Sequence, residues 1–279
     1  MKESILSHVR EELRGTMHYE KGEKALISAL ESVYGNNEIP ATNPILVRQR
    51  SLAVKGELMW NKWWQGSPQI QAEIDGDKRI FFDHRLPDPG NLKDFPLLDP
   101  KYLRDNWSRI KGGAVPVPLG YLDLLVSLSG TGPASGVWSV PHSDIMQINK
   151  RMDIPTAEDQ PYYSGFLGVT PEERKAYGAK HRIVHGDIIG LYCNLNDANQ
   201  DEERGRVSVF NLISLGGDDS LSIGGARLFG VRRRWASTAS HSAEGAAENA
   251  AFKSYLGNFV PPARLDECMQ GALAFLRNK

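Results

Sequence analysis

The sequence predicts an α+β protein with N-terminal helices, a largely antiparallel sheet and a C-terminal helix. Three observations lead there. Apolar residues recur at helical spacing across residues 3–35. From Pro44 onward apolar and polar residues alternate, and at Asp75-Gly76-Asp77 the alternation doubles back as a hairpin. Helical spacing then returns from about Arg264 to Leu276.

In order along the chain, Ile5, Val9 and Leu13 mark a first helix, and Ala25, Leu26, Leu30 and Val33 a second, ended by Gly35-Asn36-Asn37. Residues 45–54 and 69–74 read as strands by their alternation, and Arg79-Ile80-Phe81-Phe82 as the return strand of the hairpin. Residues 84–120 hold Pro87, Pro89, Pro96, Pro100, Pro116 and Pro118, which predicts an irregular connection with one helix near Tyr102 to Ile110. Tyr121 to Leu128 is a short apolar run, and a strand around Trp138 follows. Thr170-Pro171-Glu172-Glu173 has the spacing of a capping box with proline at the first helical position, so a helix runs from there to about Lys180. Ile183 to Tyr192 reads as a turn feeding a buried strand. Val207 to Leu215 is a strand that Gly216-Gly217-Asp218-Asp219 turns into an antiparallel partner starting near Leu221. Phe210 and Leu212 are expected on its core side.

The boundaries that follow are 1–83 for the helices and first hairpin, 84–120 for the connection, and 121–279 for the β-rich remainder, with one domain across all three as the alternative. A chain of 279 residues buries roughly 70% or more of its unfolded surface without covalent staples. Cys193 and Cys268 are far apart and are read as reduced thiols of a cytoplasmic protein. The first residues lack a continuous apolar run, and no stretch approaches the ~20 apolar residues of a membrane span. No membrane partner is expected.

Net charge is −1, from 33 basic and 34 acidic side chains, so the overall field points to no polyanionic partner. Local clusters say more. Arg232-Arg233-Arg234 runs into Trp235, with Arg227 just upstream, and Trp60, Trp63 and Trp64 stand among Lys55 and Lys62. Arginines neutralise phosphates and aromatic faces stack on unpaired bases. The first functional expectation is therefore a nucleic-acid-interacting protein, RNA-binding or nuclease-like. It would use Arg227, Arg232, Arg233, Arg234 and Trp235, with the tryptophans at 60–64 equally readable as core. Glu73, Asp75, Asp77 and Lys78 hold the residue types of a Mg²⁺-dependent nuclease but lie across a turn that needs Asp and Gly for backbone reasons.

His142 and Asp144, two residues apart after the apolar Trp138 segment, would share one face of a strand. This H-x-D pair resembles half of the facial triad of Fe(II)/2-oxoglutarate oxygenases. The resemblance implies an iron site completed by His241 or His185 and a basic residue soon after the distal histidine. That second half departs from the pattern at both histidines, since Arg204 and Arg206 lie too far past His185 and Arg264 too far past His241. Two further resemblances are short. Ser222 to Arg232 is similar to the Gly-rich loop of RNA-binding CRISPR proteins of the RAMP type, and Arg174 with His181 has the R-x6-H spacing of HEPN ribonucleases. The functional expectations are thus a nucleic-acid-interacting protein, a non-haem oxygenase with a divalent metal (Fe, or Mg for the nuclease variant), or an assembly subunit without chemistry.

Overall fold

The hairpin at Asp75-Gly76 sits at the centre of the architecture. Asp75 (φ 51°) and Gly76 (φ 89°) both take left-handed backbone, which lets β3 (Gln65–Ile74) reverse into β4 (Asp77–Asp83). The two strands pair antiparallel from Ile74↔Asp77 to Gln69↔Phe82. This computed structural model describes residues 15–21, 24–61, 64–109, 115–129, 135–144, 150–191, 211–214 and 225–232.

Around the hairpin the remaining elements are β1 (Thr16–Lys21), α1 (Ala25–Gly35), β2 (Glu38–Pro40), α2 (Asn43–Leu52) and α3 (Leu58–Asn61). They continue with α4 (Pro100–Asp105), α5 (Leu119–Leu128), β5 (Val137–Pro141), β6 (Lys150–Asp153), α6 (Ile154–Glu158) and α7 (Pro161–Leu167). Last come α8 (Pro171–His185), β7 (Ile188–Leu191), β8 (Asn211–Ser214) and β9 (Gly225–Arg232). The α+β class is as the sequence predicts.

The main sheet is mixed and runs β1-β9-β3-β4-β5, with β2 beside β9 and β8 beside β3. All its pairings are antiparallel except β3 with β9, where Gln65 is aligned with Leu228. Alternate residues point to opposite faces, so β4 sends Ile80 and Phe82 to one core and Phe81 to the other. The first core holds Trp60, Trp64, Trp138, Tyr162, Tyr163 and Tyr177 under α2, α7 and α8. The second holds Leu30, Val33, Leu97, Leu103, Leu122 and Leu228 under α1, α4 and α5. β4 and β5, from either side of 84–120, are hydrogen-bonded neighbours. A separate two-stranded ribbon, β6 with β7, carries Met152 and Ile189 on one face. No helix among the described residues is long and apolar enough to cross a membrane.

Several expectations need correction. Residues 16–21 form a strand, because Met17-His18-Tyr19 has period two and finds β9 as its partner (His18↔Leu228). Residues 43–52 form a helix where alternation predicted a strand. Pro44 sits in its first turn, where its missing N–H costs nothing, and Ile45, Leu46 and Val47 bury together at the floor of the first core. The apolar run at 121–128 belongs to a helix. The capping box is present as predicted, with Thr170 and Glu173 bonding reciprocally, but α8 continues past Lys180 to His185. The strand after it is not wholly buried, since Ile188 is 55% exposed. Asn211–Ser214 pairs with β3 rather than with the strand that follows it, which pairs with β1 and β2. The sidedness of Phe210 and Leu212, the first helix at 3–14, the C-terminal helix and both cysteines lie outside the described residues.

Candidate functional site

The residues the sequence singles out do not converge. His142 and Asp144 sit in a single 3₁₀ turn after β5, half-buried, and a turn of three residues per revolution does not align i with i+2 as a strand would. Asp144 accepts from its neighbour Ser143. No group of three His, Cys, Asp or Glu among the described residues is placed to hold a metal ion. Arg227 lays its guanidinium over the Tyr19 ring at 4.7 Å, and its backbone N–H donates to Gln65 (3.0 Å). Arg232 lies opposite Glu38 in the β2–β9 pairing. Arg233, Arg234, Trp235 and His241 lie outside the described residues. Trp60 and Trp64 are fully buried, so neither offers a face to a base. Glu73, Asp75, Asp77 and Lys78 line an exposed hairpin tip.

Buried polar groups form three closed networks instead. His84 Nε2–H donates to the Gly165 carbonyl (2.7 Å), which fixes the tautomer and leaves Nδ1 to accept from Ser67 Oγ (2.6 Å). Ser67 Oγ accepts the Asn43 backbone N–H (2.9 Å), while Asn43 takes the Ser67 N–H on Oδ1 (3.0 Å) and donates to the Phe166 carbonyl (2.6 Å). Burial pushes the His84 imidazole down to about 4, against the smaller opposing effects of the Gly165 carbonyl and Asp83. A Cβ at Gly168, whose φ is 63°, would collide with this ring, and one at Gly66 would collide with Asn43.

At the end of β4, Arg85 forks onto buried Asp83 (2.9 and 2.8 Å) and Tyr121 donates to the same carboxylate (2.8 Å). Burial, reinforced by Asp83, raises the Tyr121 hydroxyl well above its usual value. At β1, His18 Nε2–H donates to Glu38 (2.7 Å), Nδ1 meets Ser32 Oγ at 2.9 Å, and Thr16 donates to the second Glu38 oxygen (2.8 Å). Each network ties elements together: β1 to α1 and β2, β4 to α5, α2 to β3 and α7.

A different character appears where α8 ends. Trp60 stacks on Tyr177 (5.8 Å between centroids) and meets His181 and His185 edge-on at 6.3 and 5.6 Å. Arg50 covers the opposite side of the cluster, 5.4 Å from the Trp60 ring, and donates to the Tyr177 hydroxyl (3.3 Å). Beyond Gly186 (φ 94°) the chain enters β7. The outer face of the ribbon pairs Arg151 with Gly190 and Asp153 with Ile188, and Arg151, Asp153 and Ile188 are exposed. Ile183 and Ile188, on either side of the Gly186 turn, are 68% and 55% exposed, and the ion pair Arg182–Asp187 (3.1 Å) spans the turn. Met152 and Ile189 back this surface from the core side. Sequence reasoning missed it because an isolated exposed isoleucine looks like any strand residue. The one available cue was Ile183, which lies off the face of the capped helix that carries Tyr177, His181 and Val184.

Comparison with protein-family profiles and with curated proteins found no match. Among solved structures the chain is similar to a protein described under the accommodation of massive sequence variation in Nanoarchaeota by the C-type lectin fold. The TM-score is 0.59 at 18% identity, over 78% of this chain and 97% of that one. At that identity the likeness shows the fold alone. It nevertheless corrects the functional expectations. The chain has a C-type-lectin-like fold with its described tryptophans 60 and 64 in the core, and the RNA-binding, nuclease, metal-binding and oxygenase readings, with the assembly-subunit alternative, give way to what that fold supports.

Proposed function

We propose that the chain is a protein-recognition module, a C-type-lectin-like scaffold that works by surface contact rather than by a covalent step. The observation that carries this reading is the fold likeness. The similar protein is described as accommodating massive sequence variation, and a scaffold can do so only if the side chains that hold the fold are not those that face the partner. This chain has that division: Asn43, Ser67 and His84, and Asp83, Arg85 and Tyr121, bond to one another and to neighbouring main-chain carbonyls. Arg151, Ile183 and Ile188 stand outside the core, while Asp153 beside them caps α6 by accepting from Thr156. An apolar centre with a charged rim (Arg151, Asp153, Arg182, Asp187) is the composition of a protein-binding patch.

The module acts as one domain, given the β4–β5 pairing across 84–120. Its setting is cytoplasmic, an element of the proposal that a count of two free thiols in the unfolded chain would support. The test of function is retention on parallel panels of proteins and of glycans, for the full chain and for Ile183→Asp with Ile188→Asp. The reading expects a protein ligand that is lost in the double variant while the thermal melt is unchanged. Retention of glycans alone, or a protein ligand indifferent to both substitutions, overturns it.

A further inference from the structure

The recognition face leaves α8 through one turn, and that turn rests on imidazoles. His181 and His185 are one helical turn apart with ring centroids at 5.3 Å, and both pack against Trp60. His181 Nδ1–H donates to the Gly186 carbonyl (3.3 Å), and Gly186 N–H donates back to Arg182 (3.0 Å). The next carbonyl, Asp187, accepts the Ile154 N–H (3.0 Å) at the point where β6 passes into α6. His181, the Gly186 turn and the ribbon are therefore one hydrogen-bonded chain.

The groups around His181 oppose a second cation. From α2 comes Arg50, and from α8 itself His185 and the Tyr177 hydroxyl. α3 contributes the uncharged Trp60. Glu158 of α6 lies against Gly178, a turn away, and Asp187 is held by Arg182. Burial is the largest influence on His181 and lowers it to about 4, with His185 and Arg50 adding to the shift against the Gly186 bond.

We propose that His181 and His185, packed on Trp60 at the Gly186 turn, form an acid-sensitive latch on the β6–β7 ribbon, so that acidification releases the last turn of α8 and the face carrying Ile188. As pH falls below the ordinary histidine value near 6.5, the opened state takes up a proton at His181 that the closed state refuses. The closed state then loses stability progressively until about pH 4. The mechanism is a shift between two existing states, driven by their different proton affinities. Its use in ligand release rests on the recognition reading, but the latch itself does not.

The test is hydrogen exchange of the full chain without ligand, followed at residues 186–191 and corrected for the intrinsic pH dependence of exchange. Opening should rise on the order of 30-fold from pH 7.5 to pH 5, and His181→Gln should flatten that dependence. The same readout in His185→Gln should keep most of it. Equal corrected exchange at the two pH values, or an unchanged dependence in His181→Gln, overturns the latch. Should His181→Gln not fold, the imidazole proton resonance of His181 in the unmodified chain decides: a midpoint far below 6.5 supports the latch, and one near 6.5 overturns it. Failure to retain any protein ligand at pH 7.5 in the panel test would instead count against the recognition reading, which the ligand-free exchange experiment leaves separate.

Discussion

At His84 burial and two hydrogen bonds act on the same ring. The Gly165 carbonyl demands a proton on Nε2, Ser67 supplies one to Nδ1, and there is no room for a second proton on the ring without breaking the Ser67 bond. Held near 4 against an unfolded value near 6.5, this neutral histidine contributes stability that is fully present above pH 6.5 and is lost as pH falls toward 4, ~3 kcal/mol in all. Urea titrations at pH 7.5 and 4.5 should show that loss in the parent, and His84→Gln should show a smaller one. Arg85 gives the complementary case. Removing its side chain leaves the buried Asp83 carboxylate without a cation, held only by Tyr121 and the backbone N–H of residue 85, so Arg85→Ala should cost about 3–5 kcal/mol, while Tyr121→Phe, which removes a single hydrogen bond, should cost about 1–2 kcal/mol. Equal losses in the two variants would mean that the pair is not the dominant contact of that carboxylate. None of these partners was legible in the sequence. Asn43, Ser67, His84 and Gly165 meet only once β3, α2 and α7 have packed, whereas His142 and Asp144 drew attention through a spacing that required a strand the chain does not form there.

Local chemistry decided some elements and lost others. The hairpin at Asp75-Gly76 and the start of α8 were readable because each is specified within a few residues, by turn residues in one case and by Thr170, Pro171 and Glu173 in the other. Thr170→Ala removes one side of the capping box and should lower stability by ~1 kcal/mol without changing the fold. Far-ultraviolet circular dichroism with a urea titration checks both parts, and a large loss of helix would show that α8 depends on its cap more than on its packing. Residues 45–47 misled because an apolar triplet fits a strand or a helix equally. What settles the matter is Pro44 at the first turn and the burial of all three side chains beside Trp64 and Tyr162. Gly168 marks a second element boundary. It ends α7 in left-handed backbone against the His84 ring, so Gly168→Ala should cost at least ~2 kcal/mol, visible as a lowered denaturation midpoint.

For the whole molecule, one edge of the sheet is built by a contact that no local pattern announces. β1 and β9 lie near opposite ends of the sequence and pair along their length, from Thr16↔Gly230 to Lys21↔Gly225. One member of the basic-aromatic grouping, Arg227, takes part in this pairing by stacking on Tyr19 from the neighbouring strand. The α+β class was legible because it needs only the balance of periodicities, but the recognition face was not, since it depends on which side of the ribbon the core covers. The central claim is that the core networks hold the fold while the ribbon face is free to change. Its most direct measurement is a pair of displayed libraries of the full chain, one randomised at Arg151, Ile183 and Ile188 and one at Asn43, Ser67 and His84, each sorted for protease resistance. The account predicts that most members of the first library stay as resistant as the parent while nearly all of the second are cleaved. Equal losses in the two libraries would contradict it.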